Sequence, residues 1–247
     1  MQLLAKIIIL CTLASGAFAN SPGLEENNLA KEIILFEANS YRVVTEFNVH
    51  AMQKDKKSAQ SLFNVLETGD QLSQLFTQQS KALAPSWEKY RKFTWKKHTQ
   101  IDGDIDTYVF NDMRILHRDL LLIIADVKKQ LNSDLLPHKD LNKVNAILLI
   151  EQLASEYLEM SAATFGSFGF AGTEQAIQIE VRSAAFERTV AELEKIYMEE
   201  PVKLKLIKKV ALRWKFIKNT LLAYNQRSAP FAVSKTVSYI REKLADL

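Results

Sequence analysis

Glu37-Ala-Asn-Ser-Tyr-Arg-Val-Val-Thr-Glu-Phe-Asn-Val-His50 lies at the centre of residues 24–52, which contain neither proline nor glycine. At about 100° per residue, the apolar side chains of this segment fall on two separate strips of one helix. The strips are Ile33, Phe36, Val43, Val44, Phe47 and Ala51 on one side, and Ile34, Ala38, Tyr41, Val49 and Met52 on the other. One strip is enough to pack a helix into its own bundle. The second strip therefore predicts contact with another helix, of the same chain or of a partner.

The composition is typical of a helical protein with a substantial core. Hydrophobic residues make up 47% of the 247 residues and charged residues 25%, whereas there are only 7 glycines and 5 prolines. A chain of this length forms one large domain or two of ordinary size. No segment alternates with a period of two for long enough to require a strand, so we predict an all-α fold.

The N-terminus has the three parts of a secretory signal peptide. Lys6 supplies a positive charge, residues 7–13 are apolar apart from the cysteine and threonine, and Ala17-Phe-Ala19 forms a cleavage site. We therefore predict a signal peptide over residues 1–19 and an exported mature protein. The single cysteine, Cys11, lies in this leader, so the predicted mature chain has no thiol chemistry. No later segment reaches the roughly 18 apolar residues of a transmembrane helix.

Prolines mark the starts of several predicted helices. Pro85, Pro137, Pro201 and Pro230 each precede a run with helical apolar spacing, as expected for proline in a first turn. Asp55 is placed to cap the second helix. Eight helices are predicted in this way, four in each half of the chain.

The two halves resemble each other. Ser61-Leu-Phe63 matches Ala184-Ala-Phe186, and Trp87 matches Trp214, each tryptophan following a proline that opens its helix. A separation of more than 100 residues indicates a domain duplication rather than a solenoid repeat.

We predict two antiparallel four-helix units, at residues 24–136 and 137–247. Two separate bundles in tandem and one array that shares the long first and fifth helices both satisfy the pattern. Within the first unit, Gly69-Asp70 is placed to bend the second helix or to end it early.

Two short motifs lie in the first helix and near the C-terminus. They are Ala38-Asn-Ser-Tyr-Arg42-Val43, and Trp214-Lys-Phe216 with Ala229-Pro-Phe231. Together they resemble the type IV pilus methyl-accepting chemotaxis transducer N-terminal (PilJ-like) domain family, which includes the periplasmic sensor region of NarX-type kinases. Family members carry Ala-Gly-x-x-Arg-Met on the first helix, and an aromatic-rich helix followed by Pro-Phe and a final helix.

This resemblance implies a periplasmic, non-enzymatic sensor or interaction module without a cofactor. In the nitrate sensors, the arginine that corresponds to Arg42 contacts the anion at a dimer interface, where its guanidinium offers a planar fork of donors. Arg42, Ser40 and Asn39 are thus candidate contacts for a small anion, and the first helix is a candidate surface for a homodimer or protein partner. The alternative is an ordinary surface ion pair between Arg42 and Glu46, worth about 0.3–0.5 kcal/mol.

Motifs of metal sites and of catalysis are weak or missing in the sequence. Asp102-Gly-Asp104-Ile-Asp106 has the acidic spacing that opens a calcium loop, but Thr107 and Met113 stand where glycine and glutamate are needed. Neither HExxH nor GxSxG occurs. The four histidines are scattered, so we expect them at the surface or at helix ends: His50, His98, His117 and His138.

Positive charge is concentrated at the C-terminus. From Pro201 onward there are 11 lysines and arginines and two acidic residues, whereas the rest of the chain has 21 basic and 27 acidic residues. Seven of these basic residues surround the predicted seventh helix. We expect a solvated face, as on most bundle helices; the alternative is a contact with an anionic surface. We do not expect a nucleic acid partner. The alternative to a sensor is a structural or adaptor protein without a small-molecule ligand.

Overall fold

The computed structural model describes residues 22–98, 107–165, 173–223 and 229–247. These residues form eight α-helices, one short 3₁₀ helix at Ser133–Leu135 and no strand, so the all-α prediction is confirmed. The α-helices are α1 (Pro22–Gln53), α2 (Lys56–Gln74), α3 (Leu83–His98), α4 (Thr107–Gln130), α5 (His138–Phe165), α6 (Thr173–Ile196), α7 (Pro201–Leu222) and α8 (Pro230–Ala245). None of the described helices is long and apolar enough to cross a membrane.

Two central helices, α1 and α5, hold the molecule together. They pack against each other more extensively than any other two helices. Helices α1 to α4 contact one another in cyclic order, and α5 to α8 do the same. The two four-helix sets therefore meet through α1 and α5, as in the array that shares its first and fifth helices. The proposed duplication of the two sets stays a prediction.

Both apolar strips of α1 are buried within the chain. Ile33, Phe36 and Phe47 of the first strip are fully buried, and Ile34 and Val49 of the second are at most 7% exposed. Helix α1 packs against α2, α4 and α5. The second strip is therefore covered by the same chain, and the alternative of a homodimer through this strip is wrong for this structure.

The helix starts follow the local sequence signals. The carboxylate of Asp55 accepts the backbone N–H of Ser58 at 2.7 Å, which is the predicted cap of α2. Helices α7 and α8 begin at Pro201 and Pro230, where the missing N–H costs no hydrogen bond.

Gly69 does not end α2, which continues to Gln74. Its role is to make room: a Cβ on Gly69 would lie 2.1 Å from Cζ2 of Trp87 and 2.3 Å from Cη2. The next residue, Asp70, accepts hydrogen bonds from Nε1 of Trp87 at 2.8 Å and from Nε of Arg91 at 2.7 Å. The indole is thus fixed against the backbone of α2 by packing and by a charged acceptor.

The second set has a similar arrangement around Trp214. Its Nε1 donates to Oε1 of Glu187 on α6 at 3.0 Å, and Nζ of Lys218 donates to the same atom at 2.7 Å. The residue before this carboxylate is Phe186, whose ring centroid lies 4.8 Å from that of Trp214. Phe63 has no such contact with Trp87; its ring lies 5.4 Å from that of Trp95. The two tryptophans therefore share one feature, a carboxylate acceptor on the preceding helix, whereas Phe63 and Phe186 differ in their ring contacts.

We expect Gly69→Ala to destabilise the protein by about 1–3 kcal/mol, because the added methyl group overlaps the Trp87 indole. Helix propensity alone would favour alanine by about 1 kcal/mol, so the sign of the effect identifies the cause. The free energy of unfolding in urea measures it, with Glu67→Ala on the exposed side of α2 as a control. In a Trp87→Phe background the cost should shrink; an unchanged cost would contradict the steric explanation.

Candidate functional site

The three residues predicted to contact an anion lie near three different neighbours. Nδ2 of Asn39 donates to the carbonyl oxygen of Val65 on α2 at 3.1 Å. Oγ of Ser40 lies 2.9 Å from Nε2 of His117 on α4. Arg42 lies beside the charged residues of α5 and α8. The three side chains therefore do not converge on one site.

Arg42 belongs to a cluster of four charged side chains between α1, α5 and α8. Its Nε lies 4.0 Å from Oε1 of Glu46, and Nη1 of Arg241 donates to Oε1 of Glu151 at 2.6 Å. Glu46 is 7% exposed and Glu151 only 1%. The two arginines and two glutamates balance each other, and Glu242 of α8 adds a further negative charge nearby.

Burial changes the acidity of both members of the Arg42–Glu46 pair. Burial raises the pKa of Glu46, and the nearby guanidinium of Arg42 opposes this shift. Burial also lowers the pKa of Arg42, and the positive charge of Arg241 adds to the effect. An anion at Arg42 would face both carboxylates. The alternative ion pair with Glu46 is thus present in the structure, although it is largely buried rather than at the surface.

We expect Arg241→Met to destabilise the protein by about 3–5 kcal/mol, because it leaves the carboxylate of Glu151 buried without its partner. The double variant Glu151→Leu/Arg241→Met should recover most of this loss, since it removes both charges together. Urea unfolding measures the difference. The exposed pair of Glu88 and Lys92 is the control, where Glu88→Ala should change stability by less than about 0.5 kcal/mol. A double variant no better than the single one would contradict this account.

A cleft of about 170 Å³ lies between α4 and α5, over α1. It is lined by Tyr41 and Val44 of α1, by five residues of α4, and by Ser155, Glu156 and Glu159 of α5. Because α4 belongs to the first four-helix set and α5 to the second, the cleft lies where the two sets meet.

Guanidinium groups neutralise both carboxylates of the cleft. Nε of Arg114 on α4 donates to Oε1 of Glu159 at 3.0 Å, which bridges the two sides. Arg182 of α6 forms an ion pair with Glu156. Arg118 has only one carboxylate within reach among the described residues, that of its chain neighbour Asp119 at 3.2 Å, and its side chain is 69% exposed. Its remaining N–H groups can therefore bind an acceptor in the cleft.

His117 forms the buried end of the α4 lining. Its ring stacks on Tyr90, with centroids 5.5 Å apart at 18°, and meets Tyr41 edge-on at 4.8 Å. Burial lowers the pKa of His117 to about 3, so the imidazole is neutral at neutral pH. Since the hydroxyl of Ser40 donates to the carbonyl of Glu37, Nε2 of His117 is the donor in their hydrogen bond.

Two more histidines meet at the C-terminal end of α1. The rings of His50 and His98 lie 5.5 Å apart, and Nδ1 of His50 is 2.9 Å from Oγ of Ser58. Burial lowers the pKa of His50, and His98 adds to the shift. His50 and His98 are buried, but both lie at helix ends as predicted, in the last turn of α1 and of α3. His117 is buried within α4, so the expected surface or helix-end position is wrong for this histidine. No cluster of three or more possible metal ligands occurs among the described residues.

Two sequence predictions fall on residues that the structure does not describe. They are the signal peptide at residues 1–19 and the acidic loop at 102–106.

Comparisons with protein-family models, with curated proteins and with solved structures find no match to the chain. The resemblance to the PilJ-like family therefore stays a prediction from its two motifs. What the geometry adds is that Nε of Arg42 lies 4.0 Å from the carboxylate of Glu46, whereas Arg118 is exposed at a cleft.

Sequence reasoning missed the residues that form this cleft and the charged cluster. One signal was available: Glu151 interrupts the buried run of α5, between Ile150 and Leu153. Glutamate is almost never fully buried unless it is paired, so its position predicts a basic partner from another helix. The identity of that partner, Arg241, depends on the packing of α8 and has no local signal.

We expect His117 to make stability depend on pH. The folded protein keeps this imidazole neutral down to about pH 3, whereas the unfolded chain takes up a proton near the ordinary value of 6.5. Stability is therefore fully present above about pH 6.5 and falls towards pH 3, by about 1.4 kcal/mol per pH unit from this residue.

Urea unfolding between pH 7 and pH 4.5 measures the slope, and His117→Gln should reduce it. The exposed His138 provides the matched control, His138→Gln. An equal slope in wild type and His117→Gln would show that other groups carry the pH dependence.

Proposed function

We propose that this chain is an exported, non-enzymatic sensor or interaction module that binds a small anion in the cleft between α4 and α5. The observation that supports this most directly is the exposed guanidinium of Arg118 beside a cleft whose two carboxylates already have partners. The export step rests on the predicted signal peptide at residues 1–19, and the sensor role on the resemblance to the PilJ-like family.

The charges of the cleft favour an anion over a cation. Glu159 is paired with Arg114, and Glu156 with Arg182, so neither carboxylate is left to attract a positive ligand. The guanidinium of Arg118 supplies fork-like donors, which suit a carboxylate or an inorganic oxyanion. Tyr41 can donate as well, because burial raises the pKa of its hydroxyl and keeps it protonated.

The size of the cleft favours a small ligand. A volume of about 170 Å³ is well below the roughly 300–1,000 Å³ of pockets that hold drug-sized molecules. It corresponds to about five or six water molecules at the density of the liquid. Inorganic oxyanions and short carboxylates are of this size.

The location of the cleft offers a means of signalling. A ligand held between α4 and α5 would contact both four-helix sets at once, and would compete with the Arg114–Glu159 bridge that spans them. For such a sensor to respond, the ligand must bind an open arrangement of the two four-helix sets with a different affinity from a closed one. The signal would pass to a separate protein by contact.

Thermal unfolding in the presence of nitrate, phosphate, sulfate and short carboxylates tests the proposal. At about 100 times Kd, a ligand stabilises the folded state by about 2.7 kcal/mol. About 1 kcal/mol raises Tm by roughly 2–4 °C in a chain of this size, so a shift of several degrees is expected.

Three variants locate the binding site. Arg118→Ala should abolish the shift, whereas Arg188→Ala, an exposed arginine on α6, should leave it unchanged. Arg42→Lys should also leave the Tm shift unchanged. If Arg42→Lys abolishes the shift and Arg118→Ala keeps it, the sequence-based site on α1 is favoured. If none of these anions raises Tm in the wild type, the chain is better explained as a structural or adaptor protein.

A further inference from the structure

The side of α7 that faces away from the core carries large apolar residues. Its buried side consists of Ile207, Val210, Trp214, Ile217 and Leu221. At about 100° per residue, Leu212 lies on the opposite side, with Phe216 one turn further along. Leu212 is 68% exposed, Phe216 66% and Val202 76%. This face of α7 is exposed to solvent, as the sequence predicts, but it carries large apolar side chains as well as charged ones.

Lysines surround these apolar residues. Helix α7 has seven basic residues and no acidic one. Lys203 pairs with Glu200 and Lys218 with Glu187. Among the described residues, no carboxylate lies within ion-pair distance of the other four lysines, which are all exposed: Lys205, Lys208, Lys209 and Lys215. We call these four lysines with Val202, Leu212 and Phe216 the outer face of α7.

We propose that the outer face of α7 docks on the surface of an anionic lipid bilayer. The helix has 22 residues and is about 33 Å long, so it can lie flat along a membrane. Interfacial helices combine apolar side chains that enter the acyl boundary with lysines that contact the headgroups. Leu212 and Phe216 provide the first component, and Lys208, Lys209 and Lys215 the second.

A bilayer fits this face better than two other occupants. Nucleic acid would use the lysines but would leave Leu212 and Phe216 in water. A second copy could offer the outer side of α4, where Leu122 is 62% exposed. However, the α4 carboxylates Asp119 and Asp126 already pair with basic residues of the same helix, so that side is not a strong acidic partner.

Co-sedimentation of the full chain with vesicles tests the proposal. We expect binding to equimolar phosphatidylcholine and phosphatidylglycerol, and none to phosphatidylcholine alone. Lys208→Gln/Lys209→Gln should weaken binding by about tenfold or more, because each lysine near an anionic surface contributes to the attraction. Leu212→Ser/Phe216→Ser leaves the charge unchanged and should weaken it to a similar extent.

Leu122→Ser/Lys129→Gln on α4 is the matched control, since it makes the same kinds of change on another exposed helix side. It should bind like the wild type, and circular dichroism should show that all variants fold. Three results would overturn the proposal: no binding to anionic vesicles, full binding by the Leu212/Phe216 variant, or oligomers in sedimentation velocity that this variant abolishes. The second result would indicate that the outer face of α7 binds a polyanion through its lysines. The third would indicate that it binds a second copy of the chain.

Discussion

The burial of polar side chains on α1 is the constraint on which the other contacts of this molecule depend. From Ala38 to Ala51, every residue except Tyr41 and Arg42 is buried, although the segment includes asparagine, serine, glutamate and histidine. Burying such groups without partners costs several kcal/mol each. The neighbouring helices offset this cost for Asn39, Ser40 and Glu46, whereas Oγ1 of Thr45 and Oδ1 of Asn48 have no hydrogen-bond partner among the described residues.

The polar contacts of α1 that do have partners constrain how its neighbours are placed. Asn39 reaches a backbone carbonyl of α2, Ser40 meets His117 of α4, and Glu46 lies in the charged cluster with Glu151 of α5 and Arg241 of α8. A shift of α1 by one residue would rotate each side chain by about 100° and separate it from its partner. Apolar packing alone would tolerate several registers, because α1 is apolar on two sides. The polar contacts select among them.

The sequence predicted the helices well and their surroundings poorly, for physical reasons. Helix starts depend on local signals, such as the Asp55 cap and the proline at Pro201, which act within one turn. Gly69 shows the limit of such signals: it suggested a bend, but its role depends on Trp87, 18 positions along the chain, which packs on its backbone. The Arg42 motif likewise could not reveal that the Glu151–Arg241 ion pair lies beside Arg42, since these two residues come from distant helices.

Residues with partners inside the chain differ from those that the fold leaves exposed, and the exposed ones that concern function lie on α7 and at the cleft. A residue buried by its own fold has its partners within the chain, as Glu151 does in its ion pair with Arg241. Arg118, Leu212 and Phe216 are different: folding leaves each largely exposed, without a structural need for that residue type. A stable bundle would form equally well with small polar residues at these positions. These exposed residues are the ones for which we propose contacts outside the chain, an anion for Arg118 and a lipid surface for α7.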